Sequence, residues 1–299
     1  MNKIGYIVKL VIICAMFLIV GCGTKEETVE NPTSRSYTFE EILWPSADGI
    51  NVQSDDCISV DYSNSSQGYF MMKSLNENHA HIKLQVICNN ETYTYDLNKE
   101  LEYEVYPFNM GDGTYTIRVL EQVEDTQYVL RFALDIEVQL EDEFTPYLYP
   151  SQIVDYDENT LCLEKSFELT KDDTTELERV ESIYTWVIHN VVYDWDKVEE
   201  VQGKYVLPIL DDTYTNLKGI CFDYAALMAA MLRVQHIPTK VVTGMVEEGY
   251  HAWIEVYIEN VGWIKPHIYF HSSEWTRMDP TFDAQDAEYD GDYDTIYTY

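Results

Sequence analysis

The sequence predicts an α+β protein in which an all-β region precedes a region that mixes helix and strand. Across residues 37–138, apolar and polar side chains alternate in short runs broken by turn residues, the period of strands half buried in a sandwich. After Asp172, Asp173 and Thr174 the period changes. Leu177, Val180, Ile183, Tyr184, Val187, Ile188 and Val191 recur at three- and four-residue steps and share one face of an amphipathic helix. Residues 250–258 then return to alternation, so strand follows helix within one region.

In chain order, residues 1–21 read as an export signal. Lys3 and Lys9 make a positive start, and Leu10 to Val20 is an apolar run shorter than a bilayer-spanning helix needs. The run ends in Ile19, Val20, Gly21 and Cys22, which resembles the cleavage box of bacterial lipoproteins. That resemblance implies lipid on Cys22, holding an exported protein to the outer face of a membrane. The alternative is an uncleaved anchor with an incidental cysteine, and both readings place the rest of the chain outside the cytoplasm. Residues 22–36 are small, polar and charged without any period, as in a flexible tether.

Residues 37–145 read as a β-sandwich domain, with strands over 57–62, 69–73, 81–88, 92–97, 102–106, 114–119 and 128–138. The turn at 109–113 and the strand after it have a generic resemblance to immunoglobulin-like or fibronectin-like domains. His79, His81 and the scattered carboxylates have no ligand spacing, so this region is a spacer or a module that binds substrate or partner. Cys57 and Cys88 are either a disulfide or two separate thiols. Pro146 and Pro150 mark the boundary to a second domain, 146–284, and residues 285–299 read as a solvated acidic tail.

Charge narrows the function classes. With 53 acidic against 19 basic residues the formal charge is -34, a surface that repels nucleic-acid phosphates and anionic headgroups. The apolar fraction of 46%, with 25 tyrosines, keeps the chain globular. No cysteine pair has metal-site spacing. His267 and His271 lie in a loop, and Asp290, Asp292 and Asp294 lack the later glycine and glutamate of a calcium loop, so neither a metal nor a cofactor is expected.

The chemistry concentrates in three stretches of the second domain. Cys221, two residues after Gly219, opens an alanine- and leucine-rich helix that ends before Ile237 and Pro238. There, free backbone N–H groups and the positive end of the helix dipole favour a thiolate over a thiol. His251 lies on the strand at 250–258, sharing a face with Trp253, Glu255 and Tyr257, as an imidazole able to move the thiol proton. Asp279, followed by Pro280 and Thr281, can accept from the second ring nitrogen.

A cysteine at a helix start followed by histidine and aspartate resembles the transglutaminase-like superfamily over about residues 177–282. The matching blocks are Trp186-Val187, Tyr193-Asp194, Gly219-x-Cys221-x-Asp223-Tyr224-Ala225, Leu232-Arg233, Ile237-Pro238, His251-Ala252-Trp253 and Asp279-Pro280-Thr281. The resemblance implies a papain-like α+β domain in which Cys221, His251 and Asp279 form a catalytic triad. It also implies attack on peptide or isopeptide amides through an acyl-thioester, passed to water or to an amine. The backbone N–H of Cys221 and either Asn216 or Tyr214 would hold the oxyanion. Trp253, Tyr224 and Trp275 are candidates for the cleft wall. One departure is the long stretch from Gly262-Trp263 to Asp279, either a lid or a longer hairpin. The competing class is a non-catalytic surface module that holds peptide or glycan in the same cleft.

Overall fold

The computed structural model describes residues 33–76, 81–97, 101–204, 206–247, 249–264, 267–271, 274–277, 279–285 and 291–299, with backbone alone for 267–271 and 274–277. The export signal at 1–21 and Cys22 lie outside the described residues. Among those residues no helix is long and apolar enough to cross a membrane.

The first half is made of strands β1 (Val52–Ser54), β2 (Ile58–Asp61), β3 (Tyr69–Ser74), β4 (Ile82–Cys88), β5 (Glu91–Asp96), β6 (Glu104–Pro107), β7 (Gly113–Glu124) and β8 (Gln127–Val138). They form two antiparallel sheets, in the orders β1-β2-β3-β6 and β5-β4-β7-β8. Alternation does what the sequence implies: β4 buries Ile82, Leu84, Val86 and Cys88, and β8 buries Phe132, Leu134, Ile136 and Val138. Aromatic pairs tie the sheets together, Tyr95 to Tyr106 at 5.2 Å and Phe108 to Tyr115 at 4.7 Å between ring centroids. Strand β1 has no alternation to betray it, because Val52, Gln53 and Ser54 are all exposed.

The second half adds α1 (Leu161–Thr170), α2 (Glu176–Asn190), β9 (Val192–Tyr193), α3 (Trp195–Val201), α4 (Leu210–Asn216), β10 (Lys218–Gly219) and α5 (Cys221–Arg233). It continues with β11 (Thr239–Val246), β12 (Gly249–Ile258), β13 (Gly262–Ile264), β14 (His267–His271), β15 (Glu274–Arg277), α6 (Pro280–Asp283) and β16 (Asp294–Thr298). Helix α2 starts where Thr175 accepts from the Glu178 backbone N–H at 3.1 Å and the Glu178 carboxylate accepts from that of Thr175 at 3.0 Å, a reciprocal cap. Helix α5 is central: every residue from Asp223 to Arg233 is buried, and its alanines let α1, α2 and α4 approach one side while β11 and β12 cover another. The sheet runs β13-β12-β11-β16, and β14 pairs with β15 as a separate hairpin, so the stretch before Asp279 contains a hairpin.

Residues 31–299 form one compact unit, and one buried apolar cluster extends from Val86 and Tyr115 through Tyr156 and Cys162 to Leu227 and Ile254. Two expectations about the chain's ends change. Within the span expected as a tether, Ser34 and Arg35 are held by buried Arg179, whose guanidinium donates to Ser34 Oγ at 2.8 Å and to the Arg35 carbonyl at 3.0 Å. Within the expected acidic tail, residues 294–298 are strand β16 on the edge of β11, and Tyr299 is buried. Tyr299 exchanges both backbone bonds with Val241, at 2.7 and 2.8 Å, and its carbonyl accepts from Arg233 at 3.1 Å. Cys57, Cys88, Cys162 and Cys221 are all free thiols, so Cys57 and Cys88 do not pair.

Candidate active site

Cys221 is the first residue of α5 and is partly exposed, as a nucleophile at a helix start must be. The loop into it is shaped by Asp223, a carboxylate only 1% exposed. Asp223 Oδ2 accepts from the Ile220 backbone N–H at 2.9 Å, and Lys197 of α3 contacts Oδ1 at 2.9 Å and Oδ2 at 2.8 Å. Gly219 is required by this packing, since a Cβ there would lie 2.7 Å from Asp223 Cβ. The two-residue parallel pairing of β9 with β10 sets Tyr193 opposite Gly219. Burial, with the nearby negative charges of Cys221, Asp223 and Asp279, pushes the Tyr193 phenol up to about 12.

His251 is 6% exposed on β12. Its Nε2 bonds Asp279 Oδ2 at 2.7 Å, which leaves Nδ1 as the nitrogen available to a thiol. Burial disfavours the imidazolium, but the hydrogen bonds and charges of Asp279 and Cys221 outweigh it and raise His251 to about 10. Phe282 stacks on the ring at 4.8 Å. Asp279 is wholly buried and doubles as the N-cap of α6, its Oδ1 accepting from the backbone N–H groups of Thr281 at 3.0 Å and Phe282 at 3.3 Å. The arrangement pairs a buried imidazole with a buried carboxylate and sets a partly exposed thiol at a helix start, with imidazolium as the favoured form at neutral pH.

The other named residues fall elsewhere. Tyr224 is fully buried and donates to the Val191 carbonyl at 2.7 Å, so it anchors β9 rather than lining a cleft. Trp253 is 1% exposed and packs edge-on against Tyr293 at 4.9 Å, again interior packing. Burial on both faces of β12 removes Trp253 from solvent. The side chain of Trp275 lies outside the described residues. Tyr214 is half-buried against Trp186 at 5.8 Å, and Asn216 is exposed at the end of α4. His236, in the turn after α5, has a left-handed φ of 58° and stacks on Tyr37 at 3.7 Å, a structural role. Among the described residues no group of three or more His, Cys, Asp or Glu is placed to hold a metal. Sequence reasoning missed Tyr193 as a neighbour of Cys221, although it stands in a quoted block, because nothing in its spacing reveals the β9–β10 pairing.

Residues 164–280 match the family model of the transglutaminase-like superfamily, a span containing Cys221, His251 and Asp279. The UPF0252 protein MJ1282 of Methanocaldococcus jannaschii is 27% identical over 125 residues, 36% of this chain and 35% of that protein. The chain thus spans about a third of the length of this curated relative. Among solved structures, a cysteine-protease candidate of Cytophaga hutchinsonii superposes with a TM-score of 0.36 at 18% identity, covering 77% of this chain and 91% of that one. Red sea bream transglutaminase gives 0.29 at 14% identity, covering 71% and 48%. The periplasmic domain of TgpA from Pseudomonas aeruginosa gives 0.34 at 14%, covering 80% and 77%.

Proposed function

With residues 164–280 a transglutaminase-like domain, we propose that the protein is a cysteine enzyme that cleaves or transfers the acyl group of peptide or isopeptide amides, with Cys221, His251 and Asp279 as its catalytic triad. The observation that carries this reading is buried His251 bonded to buried Asp279, in a setting where Asp279 and Cys221 together favour the charged ring. The Cys221 thiolate attacks the amide carbon, and the electron pair moves onto oxygen. In this reading the Cys221 backbone N–H and the hydroxyl of nearby Tyr193 hold that oxyanion. His251 Nδ1 then protonates the leaving amine, and the C–N bond breaks to leave an acyl-thioester. Water or a second amine attacks the thioester, His251 taking its proton as the thiolate departs. Asp279 keeps Nε2 protonated and the ring in place throughout.

The same reading keeps the wider setting: export with lipid on Cys22, anchorage to the outer face of a bacterial membrane, and an immunoglobulin-like module for the paired N-terminal sheets. The test is mass spectrometry of a peptide library incubated with the protein, with and without a primary amine. Cleavage, deamidation or amine incorporation that disappears in Cys221→Ala is the expected result. Turnover that survives Cys221→Ala would sink the proposal, as would ligand retention with no turnover in either protein.

A further inference from the structure

We propose that Tyr293 is a positioning residue for this chemistry, completing the hydrogen-bond set of Asp279 and thereby fixing the carboxylate that orients His251. The inference rests on the cysteine-enzyme reading above. Asp279 is wholly buried, and its charge must be met by protein donors. Oδ1 is met by the Thr281 and Phe282 backbone N–H groups of α6. Oδ2 takes His251 Nε2 at 2.7 Å and the Tyr293 hydroxyl at 3.1 Å. A carboxylate offers about four acceptor directions. Tyr293 therefore fills the last of them, on the oxygen that faces the imidazole.

Two features hold the phenol in place. Its ring packs edge-on against Trp253 at 4.9 Å, and Trp253 lies two residues from His251 on β12, its indole near parallel to the imidazole at 6.4 Å. The contacts close a ring of Tyr293, Asp279, His251 and Trp253. The next residue, Asp294, opens β16, paired with Met245 of β11. Gly244 permits the approach, because a Cβ there would lie 2.0 Å from the Asp294 carbonyl oxygen and 2.9 Å from the Trp253 ring. At its far end β16 reaches the N-terminal sheets, where Asn109 Nδ2 donates to the Thr298 carbonyl at 2.5 Å and the Thr298 N–H donates to the Tyr93 hydroxyl at 3.1 Å. The support of the catalytic carboxylate is thus continuous with the β-rich half of the chain.

Removing the hydroxyl leaves Oδ2 with His251 alone, and an imidazolium held less firmly stabilises the Cys221 thiolate less. The experiment is the rate of Cys221 alkylation by iodoacetamide as a function of pH, read peptide by peptide in the mass spectrometer. The proteins are wild type, Tyr293→Phe, Asp279→Asn and the double variant, with exposed Cys57 as the internal reference. Tyr293→Phe keeps the ring against Trp253, near-ultraviolet circular dichroism gives the folded fraction for normalising rates, and the midpoint of the pH profile does not depend on that fraction. We expect Tyr293→Phe to slow Cys221 at neutral pH by roughly five- to tenfold, the scale of one net intramolecular hydrogen bond, and to move the acid midpoint upward. In the Asp279→Asn background the same change should alter the rate by less than about twofold, since it acts through that carboxylate. A Tyr293→Phe profile that overlies wild type, or an effect that multiplies in full on Asp279→Asn, overturns the inference. A wild-type Cys221 no faster than Cys57 overturns the cysteine-enzyme reading and this inference with it.

Discussion

His251 lies between two groups that both favour its charged form, and its behaviour with pH follows from that. Its value in the folded protein, about 10, stands above the ordinary 6.5, so its contribution to folding is complete below pH 6.5 and is lost as pH rises toward 10. The gap in melting temperature between wild type and His251→Gln should accordingly be wide near neutral pH and narrow as pH rises through that window. A gap that widened with pH would reverse the sign of the argument. Asp279 has two duties, and substitutions separate them. Asparagine still caps α6 through its carbonyl oxygen but lets its amide face His251 Nε2, so turnover should fall by about 10³-fold or more, and the stability that the charged His251–Asp279 pair supplies near neutral pH is lost with it. Alanine removes the cap as well, and should lower unfolding free energy by a further ~1 kcal/mol.

At the scale of elements, the start of α5 depends on the Lys197 and Asp223 pair beneath it. Gly219→Ala places a methyl against Asp223 and must push the Cys221 loop out of register, an overpacking cost of ~1–3 kcal/mol accompanied by slower Cys221 alkylation. Unchanged stability and reactivity in that variant would show that the loop yields without consequence. The elements also differ in how plainly the sequence displays them. Helix α5 and strand β12 are readable from periodicity, which is why Cys221 and His251 can be placed from residues alone. Helix α1 buries Ser166 and Thr170 beside Cys162 and Leu163 while exposing Leu161, so its apolar stripe is faint. Helices α3 and α4 are seven residues each, two turns, too short for a period to register. Asp279 needed the family resemblance, because the β14–β15 hairpin separates it from β12. Tyr293 was hidden by the aspartates around it, which make the segment look solvated.

For the molecule as a whole, Arg233 at the end of α5 is the main tie between helix, sheet and chain end. It is 1% exposed and donates to the carbonyls of Thr239, Tyr149 and Tyr299, at 2.8 to 3.1 Å. Arg233→Met would take this donor from the buried Thr239 and Tyr149 carbonyls and leave Tyr299 with the Val241 N–H, and should cost about 3 kcal/mol, read as a lower urea midpoint at unchanged slope. A midpoint within error of wild type would show that water replaces the guanidinium at no cost. Because β16 joins β11 to Tyr93 and Asn109, the β-rich half and the catalytic half should unfold together in that experiment, whether followed by tryptophan fluorescence or by Cys221 alkylation.

Priming of Cys221 by a charged His251 held against Asp279 can be read from the ring ¹⁵N chemical shifts of His251 followed through a pH titration. Both ring nitrogens should be protonated at neutral pH and the proton lost only toward about 10, with the midpoint falling in Cys221→Ala. A neutral ring at pH 7 that titrates near 6.5 and ignores Cys221→Ala would contradict it.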